Sequence, residues 1–100
     1  MATYFLFGKY SPEAKKGISA NRTEKANQLI KKFKGEIISI YALLGDADLV
    51  IIAEFPDTKQ VMKASLAISK LTGIAFTTSE AIPVKDFDKM VAGIWKFPQH

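Results

Sequence analysis

Hydrophobic and polar positions follow two spacings along the chain, one typical of strands and one typical of helices. Four short runs rich in β-branched and aromatic residues predict strands at residues 3–10, 36–44, 48–55 and 74–82. Between and after these runs, apolar residues recur at i, i+3, i+4 and i+7, which predicts amphipathic helices. The pattern therefore predicts the order strand, helix, strand, strand, helix, strand, followed by a terminal helix.

Capping residues predict where the first helices begin and end. Ser11 begins a helical turn that ends at Gly17. Asn21 then forms a capping box with Glu24, so that the helix restarts at Arg22. The apolar stripe of this longer helix consists of Ala26, Leu29, Ile30 and Phe33. These signals predict a short helical turn and a longer helix before the second strand.

The remaining helix ends are marked by glycine and aspartate. We expect Gly35 to end the first long helix in the left-handed conformation. Asp57 caps the second long helix, and Gly73 ends it. The terminal helix carries its apolar residues on one side: Phe87, Met90, Val91 and Ile94. The chain therefore contains two full helices between its strands and one more at its end.

The element order matches the ferredoxin-like arrangement βαββαβ. This α+β fold has a four-stranded antiparallel sheet, two helices on one face and, in this chain, a short C-terminal helix. A length of 100 residues predicts a single domain over residues 1–100. Because both helices lie on one side, the sheet of such a fold has one covered face and one open face.

The first strand is apolar on both of its sides. Tyr4 and Leu6 point to one side, and Phe5 and Phe7 point to the other. Since large exposed apolar patches are uncommon in soluble monomers, we expect a second copy of the chain to cover the open face. The sequence thus predicts a homodimer or higher homo-oligomer, arranged as a dimeric α/β barrel. The alternative is that residues 87–97 fold over the open face of their own sheet.

Composition indicates a compartment and disfavours several partners. The chain has 48% hydrophobic and 24% charged residues and no cysteine, which predicts a folded protein of a reducing compartment, the cytoplasm. We expect neither a secretion signal nor a membrane span. The net charge of +4 is spread along the chain, so it does not require nucleic acid or an anionic membrane as a partner.

Several local motifs, in their order and spacing, resemble one known family. They are Tyr10-Ser-Pro-Glu-Ala-Lys-Lys-Gly17, Arg22-Thr-Glu-Lys-Ala26, Gly45-Asp-Ala-Asp48 and Phe55-Pro-Asp57. Over about residues 3–82 this set resembles the GYD domain family, which implies a ferredoxin-like fold of the dimeric α/β-barrel group but no particular reaction. The chain departs from the family pattern at two positions. Ala47 stands in place of the tyrosine, and Lys34 in place of the first residue of a glycine pair.

Few reaction classes fit the residue inventory. His100 is the only histidine and there is no cysteine, so one chain cannot assemble a zinc site or a Ser-His-Asp triad. The glycines follow no phosphate-loop spacing, and we expect neither a cofactor nor a metal. Asp46 and Asp48 flank the turn between the second and third strands. We interpret them as turn formers, with a divalent-ion site as the alternative.

Four polar side chains are the candidates for contact with a ligand: Tyr10, Arg22, Tyr41 and Glu54. Aromatic rings can stack on a ligand while hydroxyl groups orient it. Glu54 lies among apolar neighbours in a predicted central strand, where a buried carboxylate would need a cation such as Arg22 or Lys9. The alternative is structural, with the tyrosines packed in the core and the glutamate exposed at an edge.

These observations favour a homodimeric small-ligand-binding or regulatory module without catalytic activity. Its predicted partners are a second copy of the chain and a small apolar or aromatic ligand. The second hypothesis is a cofactor-free enzyme such as a small oxygenase or isomerase of the dimeric α/β-barrel type, and it rests on fold analogy. The third is RNA binding through the aromatic first strand. The third strand lacks the glycine, aromatic and basic pattern of RNA-binding sheets, which disfavours this hypothesis.

Overall fold

The predicted order of strands and helices is confirmed. The structure is a computed structural model that describes residues 1–95. Its strands are β1 (Ala2–Tyr10), β2 (Glu36–Ala42), β3 (Leu49–Phe55) and β4 (Ile74–Ala81). Its helices are α1 (Pro12–Lys16), α2 (Ala20–Lys32), α3 (Thr58–Thr72) and α4 (Val84–Trp95). The strands and helices thus alternate as the ferredoxin-like order requires.

The four strands form one antiparallel sheet in the order β2-β3-β1-β4. β1 is central and pairs with β3 on one side and β4 on the other, so that Leu6 lies opposite both Ile51 and Thr78. α2 and α3 pack on the same face of this sheet and enclose the core with it. This arrangement confirms the predicted α+β ferredoxin-like fold, with β4 as an edge strand.

Serine hydroxyls cap the first two helices. Ser11 accepts the backbone N–H of Ala14 at 3.0 Å, as the sequence predicted for α1. The predicted start of α2 is wrong by two residues, because Ser19 is the cap and accepts the N–H of Arg22 at 3.1 Å. Asn21 therefore lies inside the first turn of α2. Ser19, two positions upstream, has the capping role that was expected of Asn21.

The predicted role of Gly35 is also wrong. The left-handed residue after α2 is Lys34, with φ of 66°, and it occupies the conformation that glycine adopts most easily. Gly35 is required for a different reason. A Cβ atom at this position would lie 2.4 Å from the ring of Phe55, so the backbone can pass the ring only without a side chain. Gly73 ends α3 as predicted, and its φ is 76°.

The core lies between the sheet and the two long helices. Its largest fully buried side chains are Leu6, Ile30, Phe55, Val61 and Ile68. The ring of Tyr4 packs edge-on against Phe55 with 6.1 Å between ring centroids. The hydroxyl of Tyr4 lies 3.4 Å from the hydroxyl of Thr58, so this tyrosine is a core residue with a polar partner.

The connection between β2 and β3 is longer than the sequence predicted, since β2 ends at Ala42. Asp48 holds this loop against β1. Its backbone N–H donates to the carbonyl of Gly8 at 2.8 Å, and its carboxylate accepts the N–H of Tyr10 at 2.7 Å. The side chain of Asp48 thus supplies the acceptor for a strand N–H at the end of the β1–β3 pairing, a structural role that links the loop to β1.

The terminal helix α4 forms as predicted but none of its residues is buried. The radius of gyration is 16.4 Å, against about 13 Å for a compact chain of this length, because α4 projects from the rest of the fold. Residues 84–95 therefore do not cover the open face of their own sheet, and residues 96 and 97 lie outside the described residues. Among residues 1–95, none of the helices combines the length and the apolarity needed to cross a bilayer.

Candidate functional site

One face of the sheet carries no helix, and we call it the open face. Strand pairing places Phe5 opposite Ile52, and Phe7 opposite Val50, so these four apolar side chains form its centre. The side chains around them are Thr3, Lys9, Ser39, Tyr41, Glu54, Ala75, Thr77 and Ser79. Val50 is buried, yet it lies outside the core cluster between sheet and helices. The predicted two-sided apolar character of β1 is therefore present in the fold.

A groove of about 650 Å³ runs along one end of the open face, within the size range of small-molecule sites. Phe7, Lys9 and Thr77 form part of its floor, and residues 43–47 form its wall. The tip of this wall is the apolar side chain of Leu44, which is fully exposed. Asp48 fixes this loop to β1, so the groove has one rigid side.

The helix side of the sheet contains a small cavity beside Tyr10 and Arg22. The guanidinium of Arg22 lies 5.5 Å from the ring centroid of Tyr10, within the range of a cation–π contact, and donates to the carbonyl of Ala14. The cavity holds about 50 Å³, enough for water but well below the roughly 300 Å³ of a typical ligand pocket. In this arrangement, Arg22 ties α2 to α1 and to β1.

The four candidate ligand-binding residues fall into two pairs on opposite faces of the sheet. Tyr10 and Arg22 line the cavity on the helix side. Tyr41 and Glu54 lie on the open face, where Tyr41 is opposite Val50 and is 56% exposed. Glu54 is half-buried in β3 and cannot meet Arg22, because the sheet lies between the two side chains. Within one chain, the four residues do not share a pocket.

A bulge in β2 determines the position of Tyr41. Ile37 pairs with Ala53 on the helix side, whereas Ser39, two residues later, pairs with Ile52 on the open face. An unbroken strand would place both residues on the same face. The register shift at this point therefore turns Tyr41 away from the cavity and onto the open face.

The outer face of the helices is a second surface that the sequence reasoning did not single out. α2 and α3 together carry seven basic residues and one acidic residue. Met62 and Leu66 lie at i and i+4 on α3 and are 57% and 68% exposed. A shallow groove of about 690 Å³ between the helices is lined by Lys25, Gln28, Leu29, Ala67, Lys70 and Leu71. The i, i+4 spacing of the apolar residues Met62 and Leu66 was the sequence signal that could have revealed this surface.

Acidic side chains do not gather into a cation site in the described part of the chain. Asp48 uses its carboxylate on the N–H of Tyr10, and Asp46 is exposed in the adjacent loop. Within residues 1–95 no three carboxylate or imidazole side chains come close enough together to hold a metal ion. His100 lies outside the described residues.

The sequence profile of the GYD domain matches residues 4–91. The chain belongs to the GYD domain family. The matched residues include Asp48, which holds the loop before β3 in place. A curated relative from Thermus thermophilus, named glutamine synthetase and cystathionine beta-lyase binding protein, is 28% identical. The match covers 86% of this chain and 94% of that protein.

Solved structures with the same fold are found among transcriptional regulators. This GYD domain chain superposes on the leucine response regulatory protein LrpA of Mycobacterium tuberculosis with a TM-score of 0.54 and 10% identity. It superposes on an AsnC family regulator of Agrobacterium tumefaciens with a TM-score of 0.55 and 16% identity. Each match covers 82% of this chain but only about half of the regulator. At such low identity, these likenesses establish the fold alone.

Proposed function

We propose that this GYD domain protein is a homodimeric regulatory module that binds other proteins. The observation that carries the proposal is the open face, whose apolar centre is not covered by the chain's own helices. Phe5, Phe7 and Ile52 remain partly accessible there. Each large apolar side chain removed from water contributes about 1.5–3 kcal/mol before the cost of association. A second copy packed sheet to sheet would cover both open faces at once and form a dimeric α/β barrel.

Sedimentation equilibrium of the full chain tests the dimer. We expect the wild type to be dimeric at tens of micromolar, and Ile52→Lys to raise the dissociation constant at least about 100-fold because it buries an unpaired charge. Met62→Lys is the matched control, since Met62 is exposed on the opposite side of the molecule. A monomeric wild type, or equal effects of the two substitutions, would rule out this dimer.

A sheet-to-sheet dimer leaves the helices on the outside, and their outer face fits an acidic protein partner. The excess of lysine and arginine on α2 and α3 surrounds the exposed Met62 and Leu66. Protein interfaces commonly combine such an apolar centre with a charged rim. The name of the relative from Thermus thermophilus, a binding protein for two enzymes, supports the proposal that this chain also binds a metabolic enzyme.

Binding to purified glutamine synthetase from the same organism, measured by biolayer interferometry, tests the partner surface. We expect binding that weakens as salt is raised, and a loss of at least about tenfold in the double variant Lys63→Glu, Lys70→Glu. The control is Lys15→Glu, Lys16→Glu, which makes the same charge change on α1. Equal losses in both double variants would contradict a role for the helix face. No binding by the wild type would remove this enzyme as the partner.

A small apolar or aromatic ligand stays a prediction. The groove beside residues 43–47 has room for it, whereas the cavity beside Tyr10 and Arg22 does not. The catalytic hypothesis needs polar groups converging on one substrate. Within one chain, the sheet separates Tyr10 and Arg22 from Tyr41 and Glu54, so no geometric observation favours it.

A further inference from the structure

Within residues 1–95, the terminal helix α4 presents an apolar side on which no other helix or strand packs. The residues of this face are Val84, Phe87, Met90, Val91, Ile94 and Trp95. Phe87 is 51% exposed, Ile94 57% and Trp95 71%. Lone apolar residues on a surface need no explanation, but a contiguous apolar side of a helix marks a contact surface. The apolar side of α4 is therefore a candidate contact surface.

The residues that precede α4 lie next to the open face. Ile82 and Pro83, which precede the helix, line a depression together with Thr3, Phe5 and Ile52 of the open face. The carbonyl of Pro83 accepts the N–H groups of Asp86 at 2.9 Å and Phe87 at 3.0 Å, so α4 begins immediately after this depression. The start of α4 therefore lies beside the apolar residues of the open face.

We propose that α4 is an arm exchanged between two copies, which packs its apolar face against the second copy. The inference rests on the homodimer proposed above. A second sheet seated on the open face would lie directly beside the point where α4 begins. A helix of 12 residues is about 18 Å long, and four strands span about 14 Å from the first to the last. The arm is therefore long enough to reach across the partner's sheet.

The apolar area that α4 can bury is large enough to contribute to a stable dimer. Aromatic side chains bury about 150–250 Å² each, so the face of α4 can remove roughly 400 Å² from water in each copy. This is about half of the roughly 800 Å² per partner that a standard interface buries, and the open face supplies the rest. The second copy also offers uncovered apolar side chains at the outer edge of β2 and in the following loop, where Ile38, Tyr41 and Leu44 are exposed.

Site-specific cross-linking between isotopically distinct copies tests the exchange. The chain has no cysteine, so Met90→Cys can carry a single benzophenone maleimide on the apolar face of α4. Lys89→Cys places the same probe on the polar face as a control. After mixing unlabelled and ¹⁵N-labelled chains and irradiating them, we expect cross-linked peptide pairs of mixed isotope content from Met90→Cys. The same pairs should be at least several-fold rarer from Lys89→Cys. Cross-links confined to one copy would overturn the proposal, because α4 would then fold over its own sheet.

Sedimentation equilibrium distinguishes an error in the proposal of an exchanged arm from an error in the proposal of a homodimer. We expect Ile94→Asp to raise the dissociation constant at least about tenfold, and Lys89→Ser to change it less than about twofold. If Ile94→Asp has no effect while Ile52→Lys still dissociates the dimer, the exchanged arm is wrong and the homodimer stands. A wild type that is monomeric would overturn both.

Discussion

The two sides of β1 are equally apolar in sequence and differ sharply in their surroundings. Tyr4 and Leu6 face the helices and are 4% and 0% exposed. Phe5 and Phe7 face the other way and are half-buried, with 6.2 Å between their ring centroids. The helix side is covered by residues of the same chain. The open side has the composition of a core, but no helix of residues 1–95 covers it, so the two sides of one strand have different surroundings.

Apolar residues on both sides of a strand therefore indicate that both faces of the sheet become covered. They do not indicate whether the same chain or another molecule supplies each covering layer. α2 and α3 follow β1 and β3 through short connections, so their packing on one face is set by the chain itself. Within residues 1–95, no helix packs on the other face. α4 begins at the rim of that face and still leaves it uncovered.

The largest expected effect compares two phenylalanines from the two sides of the sheet. Phe55 is fully buried on the helix side, and Phe55→Ala should lower the free energy of unfolding by about 3–5 kcal/mol because it leaves a cavity in the core. Phe7→Ala removes the same ring from the open face, where it should weaken association of two copies more than it lowers the stability of one copy. Thermal denaturation over a wide range of protein concentrations separates the two effects.

In this experiment, Phe55→Ala should lower the melting temperature at every concentration. Phe7→Ala should lower it chiefly at concentrations where the wild type is dimeric. A Phe7→Ala variant that is as unstable as Phe55→Ala at high dilution would show that the ring belongs to the monomer's own core. The comparison between the two faces would then be wrong.

Much of the fold could be predicted from the sequence because its signals are local. The four strands, the cap at Asp57 and the helix end at Gly73 each depend on residues that are close in the chain. The start of α2 was misplaced because Ser19 and Asn21 are both good caps, and the sequence does not rank two such residues two positions apart. A helix start that is wrong by two residues does not change the predicted fold class.

The candidate site was harder to predict because it depends on which face each residue occupies. Counting along an unbroken β2 would place Tyr41 on the helix side, near Tyr10 and Arg22. The bulge between Ile37 and Ser39 reverses that assignment. No glycine or proline marks this bulge, so the sequence carried no signal for it, and a single inserted residue moved one candidate to the other face.

The smallest predicted effect concerns the connection between α2 and β2, which belongs to the helix side alone. Lys34 adopts φ of 66°, and this left-handed conformation costs a residue with a Cβ atom about 1–2 kcal/mol. Lys34→Gly removes that strain. It also makes the unfolded chain more flexible, which opposes folding by about 0.5–1 kcal/mol. The net gain should be about 0.5–1 kcal/mol, which corresponds to an increase in melting temperature of roughly 2–8 °C.

Lys31→Gly is the matched control for Lys34→Gly. It removes the same charge from the exposed face of the helix end, but at a residue with right-handed helical backbone, so it should destabilise the protein by about 0.5–1 kcal/mol. Differential scanning calorimetry should show that the two substitutions change the melting temperature in opposite directions.

Because Lys34 has no part in the open face, Lys34→Gly should leave the dimer dissociation constant unchanged. A lower melting temperature in Lys34→Gly would mean that the side chain of Lys34 contributes more than its backbone strain costs. A stabilised variant with unaltered association would show that the two sides of the sheet are energetically separable.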